Sequence, residues 1–376
     1  MQHIYAVGRV GFDFGSEARQ DSFAMAMRLA GIFDASNVLA KVDTTLDPND
    51  PLQLSHYLLG HPWAVEQITW TLTSERDVIY ALEPDLAGRA NWGPRVPSPA
   101  IDARANLLGG PPPAPMGPPV AMPALYSKFI TALIGQADHA SSPTYVSRIS
   151  LAGSLTTRTA RLLSGQIVPV VEVGAQGARP DISRSLKTYP FQPNVAILQQ
   201  NSVANAVSDL FDNGEGATVS PRRQAVGSHK KPLALPTREA VDAVVPALFE
   251  KAYAALRNHG EAPGDRAMNY LGTELLHSPK KIALGLMSGW VVNDAASQDD
   301  PSPDETALYT LDTVSVSKSA VDRYDSDFWD VKLTFFNPRF SDRAKMCYVF
   351  TVDVSDELPV ALPRFYWYLA GSRSQR

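Results

Sequence analysis

One stretch constrains the fold before any helix or strand is sought. From Gly93 to Pro123 the chain reads GPRVPSPAIDARANLLGGPPPAPMGPPVAMP. Proline fixes φ and lacks a backbone N–H, so this stretch sustains neither a helix nor a central strand. It predicts extended, polyproline-like chain, acting as a semi-rigid spacer or draped over a surface. The whole chain has 376 residues, enough for two domains of roughly 100–200 residues each. The expected division is therefore an N-terminal unit over 1–92, a spacer over 93–123 and a larger unit over 124–376.

Periodicity fills in the two units. Before the spacer, HIYAVGRVGFDF is rich in β-branched and aromatic residues and predicts a strand or hairpin arm. A helix is expected over 16–31. Ser16 is its N-cap, Glu17 sits in its first turn, and Phe23, Met27 and Ala30 form one apolar face. Gly31 is its expected stop. Residues 51–59 and 61–70 predict a second helix or a broken pair, and 67–73 and 77–83 predict two strands around a Ser-Glu-Arg-Asp turn.

After the spacer, helices are expected over 124–137 and 195–211, and strands over 145–152 and 165–173. Residues 212–236 are polar and rich in Gly, Ser and Pro, and predict a loop or disorder. A long helix follows from Thr237 to Gly260, with Pro246 marking a kink or a boundary, and the helical pattern continues through 262–289. Residues 308–317, 329–336 and 346–354 alternate apolar and polar side chains and predict strands. The fold class is α+β: a small N-terminal α/β unit and a larger α+β unit with an antiparallel sheet and long helices.

Charge and composition narrow the function. The formal net charge is −5, and the compact basic patches are Arg222-Arg223 and His229-Lys230-Lys231, in a polar segment. That argues against nucleic acid as the partner. The single cysteine, Cys347, excludes a disulfide framework and a multi-thiolate zinc site. No run approaches the ~20 apolar residues of a membrane helix, and the start has no signal-peptide pattern. A soluble cytoplasmic protein without a membrane partner is expected.

Reactive motifs are sparse. The seven histidines form no HxxxH or HExxH pair. No G-x-S-x-G elbow, Walker A string or G-x-G-x-x-G loop is present, and Cys347 lies in a strand pattern as a small buried hydrophobe. No cofactor and no metal is expected. Two groups of acids remain as candidates. Asp13, Glu17 and Asp21 recur every four residues, with Arg19 beside them, and suit either a helix start or recognition of a charged peptide. Asp322, Asp325, Asp327 and Asp330, with Trp329 among them, suit turn capping or an oxygen-ligated cation, although the glycine and distal Glu of an EF-hand are missing. The aromatics of RFYWYLAG, near the C-terminus, suit a core or an interface.

Several strings resemble one family. YAVGRVGFDFGSEARQDSF resembles the opening of the domain of unknown function in the cyanobactin maturation proteases PatA and PatG. RLLSGQIVPVV, FEKAYAALRNHGEAPGDRAMNYLGTE and DTVSVSKSAVDRYDSDFWDVKLTFFNP, together with YVFTVDVSDELPV, resemble the PatG C-terminal region. The resemblance covers roughly residues 4–85 and 124–360. It implies a pathway of ribosomally made, post-translationally modified peptides. The proteases' catalytic residues belong to a separate subtilisin-like domain whose G-T-S-M-A-type string is missing here, so cleavage and macrocyclisation are not implied.

Three functions follow as expectations. The first is an accessory protein that binds a precursor peptide or a partner maturation enzyme and has no protease activity. The second is a peptide-modifying enzyme using carboxylates or an oxygen-ligated metal. The third is a structural or oligomerisation module, with a homo-oligomer as its form.

Overall fold

The computed structural model describes residues 2–34, 46–85, 122, 124–174, 194–213, 236–289, 308–321, 324–339 and 343–371. Apart from Met122, the expected spacer lies outside them, as does most of the expected loop over 212–236. The elements are β1 (Gln2–Asp13), α1 (Glu17–Asp34), α2 (Pro51–Gly60), a 3-10 turn (Pro62–Glu66), β2 (Thr69–Ser74) and β3 (Asp77–Pro84). There follow α3 (Ala124–Ala137), β4 (Arg148–Arg161), β5 (Ile167–Val173), β6 (Val195–Leu198), α4 (Gln200–Asp212), α5 (Arg238–Ala255), α6 (Pro263–Leu276) and α7 (Pro279–Leu286). The chain closes with β7 (Thr310–Lys318), β8 (Phe328–Phe336), β9 (Lys345–Asp353) and β10 (Val360–Ala370). The fold is α+β, as expected.

Local chemistry explains most boundaries. Ser16 Oγ accepts from Arg19 N at 3.3 Å and opens α1. The helix then passes through Gly31 to Asp34 rather than stopping. Asp50 caps α2 by accepting from Leu52 N and Gln53 N at 2.8 and 3.1 Å, with Pro51 in the first turn. The expected helix over 61–70 is reduced to one 3-10 turn, because Thr69 and Trp70 are already committed to β2. Ser278 and Pro279 divide the expected helical run into α6 and α7, whereas Pro246 lies inside α5 without dividing it.

Two expectations fail for one reason, pairing with β4. The helix expected from Val195 begins only at Gln200, because Val195–Leu198 pair antiparallel with Leu151–Arg148. The TTRTAR stretch, which lies between the strands expected over 145–152 and 165–173, is the second half of β4, paired with β5 from Thr159 to Arg161. Partners distant in sequence override local propensity.

The strands form two sheets. Six make one sheet in the order β1-β2-β3-β5-β4-β6, and β1 pairs additionally with β4. Residues 9–13 of β1 pair with β2 and residues 2–8 with β4, so the series of pairings closes back on β1. The sheet takes strands from both sides of the expected spacer. Residues 1–92 therefore do not make a sheet of their own. The other four strands form an antiparallel meander, β10-β9-β8-β7.

Helix α6 lies between the sheets and buries most of its length, including Ala267, Tyr270, Leu271 and Leu275. Each large apolar side chain sealed here contributes about 2 kcal/mol. The loop before α6 is stitched to β1. Tyr5 N donates to Gly260 O at 3.0 Å, and Asn269 Nδ2 donates to Tyr5 O at 2.8 Å. Gly260 has φ +70, and a Cβ there would sit 2.0 Å from Tyr5 O, so only glycine fits. The Tyr80 hydroxyl on β3 lies 2.8 Å from the Glu261 carboxylate and 2.9 Å from His259 O, acceptors for its one proton; burial, and then Glu261, push its pKa up. On the meander side, buried Arg266 donates to Val354 O at 2.7 Å, Glu357 O at 3.0 Å and Asp356 O. Burial lowers its pKa to about 10 against the opposing pull of Asp327, Glu357 and Asp356, so it stays charged at neutral pH.

Candidate functional site

The structure disperses the acids that the sequence singled out. Asp13 ends β1, and its carboxylate accepts from Gly15 N at 2.6 Å and from Leu163 N at 2.8 Å. It therefore ties the strand end to the β4–β5 turn. Glu17, Arg19 and Asp21 are exposed on the first turns of α1. Among the described residues, no ion pair or hydrogen bond joins the Arg19 guanidinium to Asp13, Glu17 or Asp21.

The second group is also divided. Asp322 lies outside the described residues. Asp325 is exposed with φ +61, in the turn before β8. Asp327 accepts from Trp329 Nε1 at 2.9 Å and pairs with Lys318, whose ammonium stands 5.5 Å from the Trp329 ring centre. Trp329 packs against α6 at Gly264, where an added Cβ would come within 3.1 Å of the ring. Asp330 accepts from Thr351 Oγ1 at 2.6 Å across β8 and β9. Asp327 and Trp329 thus meet, while Asp330 serves the neighbouring strand. Among the described residues, no group of three or more His, Cys, Asp or Glu is placed to hold a metal. Asp13 ends β1, whereas α6, against which Trp329 packs, bonds that strand at Tyr5, eight residues earlier.

A different surface stands out on β10. This strand is at the edge of the meander and is paired through β9 alone among the described residues. Phe365, Tyr366, Trp367 and Tyr368 are 41%, 55%, 41% and 41% exposed, four consecutive large aromatics on one edge. Side chains alternate across a strand. Phe365 and Trp367 stand opposite Phe350 and Tyr348, which belong to the core, while Tyr366 and Tyr368 stand opposite Val349 and Cys347 on the other face.

Internal contacts hold the aromatics in place. The Phe365 ring stacks on Phe350 at 5.1 Å and tilts against Tyr348 at 6.1 Å. Tyr366 and Tyr368 stack on each other at 6.5 Å. Cys347 is buried beside them, and burial, with the thiol next, raises the Tyr368 phenol. A register shift between Ala361 and Phe365 sets the aromatic half of the strand off from the rest. The edge combines backbone that is unpaired among the described residues with amphipathic rings, the two features that bind an added strand. The far edge of the meander differs, since α5 packs against β7.

Comparison with known proteins falls on the same elements. The family described as PatG C-terminal matches residues 236–368, from the N-terminal side of α5 to Tyr368 on β10. The family described as PatG Domain matches residues 3–157, spanning β1 to β4. The chain is thus similar to both PatG regions, and the two matches together cover most of it. A solved structure described as "PatG Domain of Unknown Function" is 25% identical, with a TM-score of 0.60, and the match covers 98% of this chain and 99% of that one. Comparison with curated proteins returns no match.

The PatG Domain match runs across the proline-rich segment, as β1 does when it pairs with β4. The sequence of RFYWYLAG does not mark it as an edge strand. Aromatics on both faces hide the alternation that marks a half-buried strand. Among the described residues, no helix is long and apolar enough to cross a membrane.

Proposed function

We propose that this PatG-like chain is an accessory protein of a cyanobactin-like peptide pathway, without protease activity, and that it holds an extended segment of a precursor peptide along the outer edge of β10. The observation that carries the reading is the run of four exposed aromatics on an edge strand. An extended peptide completes the backbone ladder, and the rings on both faces grip alternate side chains. Tyr, Trp and Phe lose little conformational entropy when they bind and dominate binding energy elsewhere. The match to the PatG regions supplies the peptide context.

The test is fluorescence anisotropy with a labelled precursor peptide encoded beside this gene. The parent protein should bind it, and Trp367→Glu should weaken binding at least tenfold, about 1.4 kcal/mol or more. The midpoint of urea unfolding should hardly move, because the ring is exposed. Equal affinity of parent and Trp367→Glu contradicts the reading. If the edge instead pairs with a second copy, the parent will sediment as a dimer and the variant as a monomer, with no peptide binding by either.

A further inference from the structure

A second surface feature lies on the six-stranded sheet. A shallow, open cleft is bounded by the β2–β3 turn and the end of α5. Arg148, Tyr253, Ser74, Glu75 and Arg257 supply its polar lining. Arg148 is the unusual member. One of its N–H groups donates to Ser147 O at 2.9 Å, and its guanidinium lies 5.4 Å from the Tyr253 ring centre. Stacking uses the face of a guanidinium and leaves its N–H edge for acceptors.

Three other arginines have carboxylate partners. Arg158 pairs with Glu83 and Glu172, Arg238 with Asp209 and Asp212, and Arg257 with Glu75 at 2.5 Å. No carboxylate among the described residues pairs with Arg148, although it is half-buried. Burial lowers its pKa, and the charge of Arg9 lowers it further, while Tyr253 and Glu75 act the other way. Arg9 itself reaches over to Gln136 O.

The surroundings are fixed as well as polar. The Tyr253 hydroxyl is hydrogen-bonded to Ser147 Oγ at 2.6 Å, and burial raises its pKa to about 12. Glu75 takes a left-handed backbone, φ 57, which costs a non-glycine residue about 1 kcal/mol. This backbone carries the residue that occupies Arg257 and leaves Arg148 unmatched.

We infer that this cleft binds a carboxylate, from a peptide C-terminus or an acidic side chain, on Arg148 with Tyr253 as its stacking support. A planar guanidinium that pairs with no carboxylate among the described residues matches one planar carboxylate, which accepts two parallel N–H bonds. A phosphate dianion calls for a second free cation in the cleft; Arg257, the other cation lining it, is already taken, and Arg9 is turned to Gln136 O. The site is apart from β10, and the inference does not rest on the peptide-edge reading.

Calorimetric titration of the full chain tests it with three synthetic hexapeptides of one sequence: a free C-terminal acid, a neutral amide, and the amide carrying one Glu. At least one acidic form should bind tenfold or more tighter than the neutral amide, and which of them does so identifies the source of the carboxylate. Arg148→Gln should erase that difference. Glu75→Gln should strengthen acid binding several-fold, a gain that misfolding does not produce. Trp367→Glu should leave it unchanged. Equal binding of acidic and neutral peptides overturns the inference. So does Arg148→Gln with the difference intact, or inorganic phosphate displacing the acid more effectively than acetate does.

Discussion

The seam between the sheets and the edge at β10 use similar residues to opposite ends. At the seam, Tyr5, Tyr80, Asn269 and Gly260 meet partners within the chain, and their polar atoms are bonded to one another or to backbone. At the edge, Phe365, Tyr366, Trp367 and Tyr368 keep two-fifths or more of their surface in solvent, beside a strand side that is unpaired among the described residues. Aromatic and polar content alone does not separate structure from binding. What separates them is whether the chain itself supplies the partner. A change at the seam should cost stability, and a change at the edge should cost binding.

The largest effect expected from breaking this contrast is at Gly260. Gly260→Ala forces a Cβ into Tyr5 O, and the loss should reach about 3–5 kcal/mol in urea unfolding. Gly165→Ala is the matched control. Its φ is +85 with nothing within 4 Å, so strain alone should cost about 1–2 kcal/mol. Equal losses in the two variants would show that the seam is not held by close approach.

A smaller effect separates the two ends of the first acid group. Asp13→Ala orphans the N–H groups of Gly15 and Leu163 and should cost about 1–2 kcal/mol. Asp21→Ala, at an exposed position, should stay within about 0.5 kcal/mol. If both are neutral, Asp13 is not a corner residue and its candidacy for binding returns.

The smallest expected effect concerns pH. Burial, followed by the charge of Arg266, lowers the pKa of His3 from 6.5. Between the lowered value and 6.5 the unfolded chain binds the proton and the folded chain does not. The contribution of His3 is therefore present above that window and is lost as pH falls through it. The stability difference between parent and His3→Gln should narrow below pH 6.5. A difference that widens on acidification would reverse the sign.

Much of the fold was legible because it rests on local chemistry. The N-caps at Ser16 and Thr237, the helix over 124–137 and the three meander strands from 308 to 354 follow from capping residues and periodicity. What was not legible is long-range. Nothing in VAIL indicates that it will lie beside β4, and nothing before the spacer indicates that β1 will pair with a strand after it. The candidate surfaces divide in the same way. Asp13 and Asp327 look chemical in sequence because acids are conspicuous, yet their partners are backbone amides, Lys318 and Trp329. Arg148 carried no signal, since a lone arginine in a strand becomes notable only when its neighbours are known.

Amide hydrogen exchange with and without the precursor peptide tests the central claim most directly. In the free protein, the amides of Phe365–Ala370 should exchange faster than those of β8, which is paired on both sides. With peptide, protection should rise on β10, with little change at Tyr5, Gly260 and Asn269. Protection that appears elsewhere while β10 stays open would contradict the assignment of the edge as the binding surface.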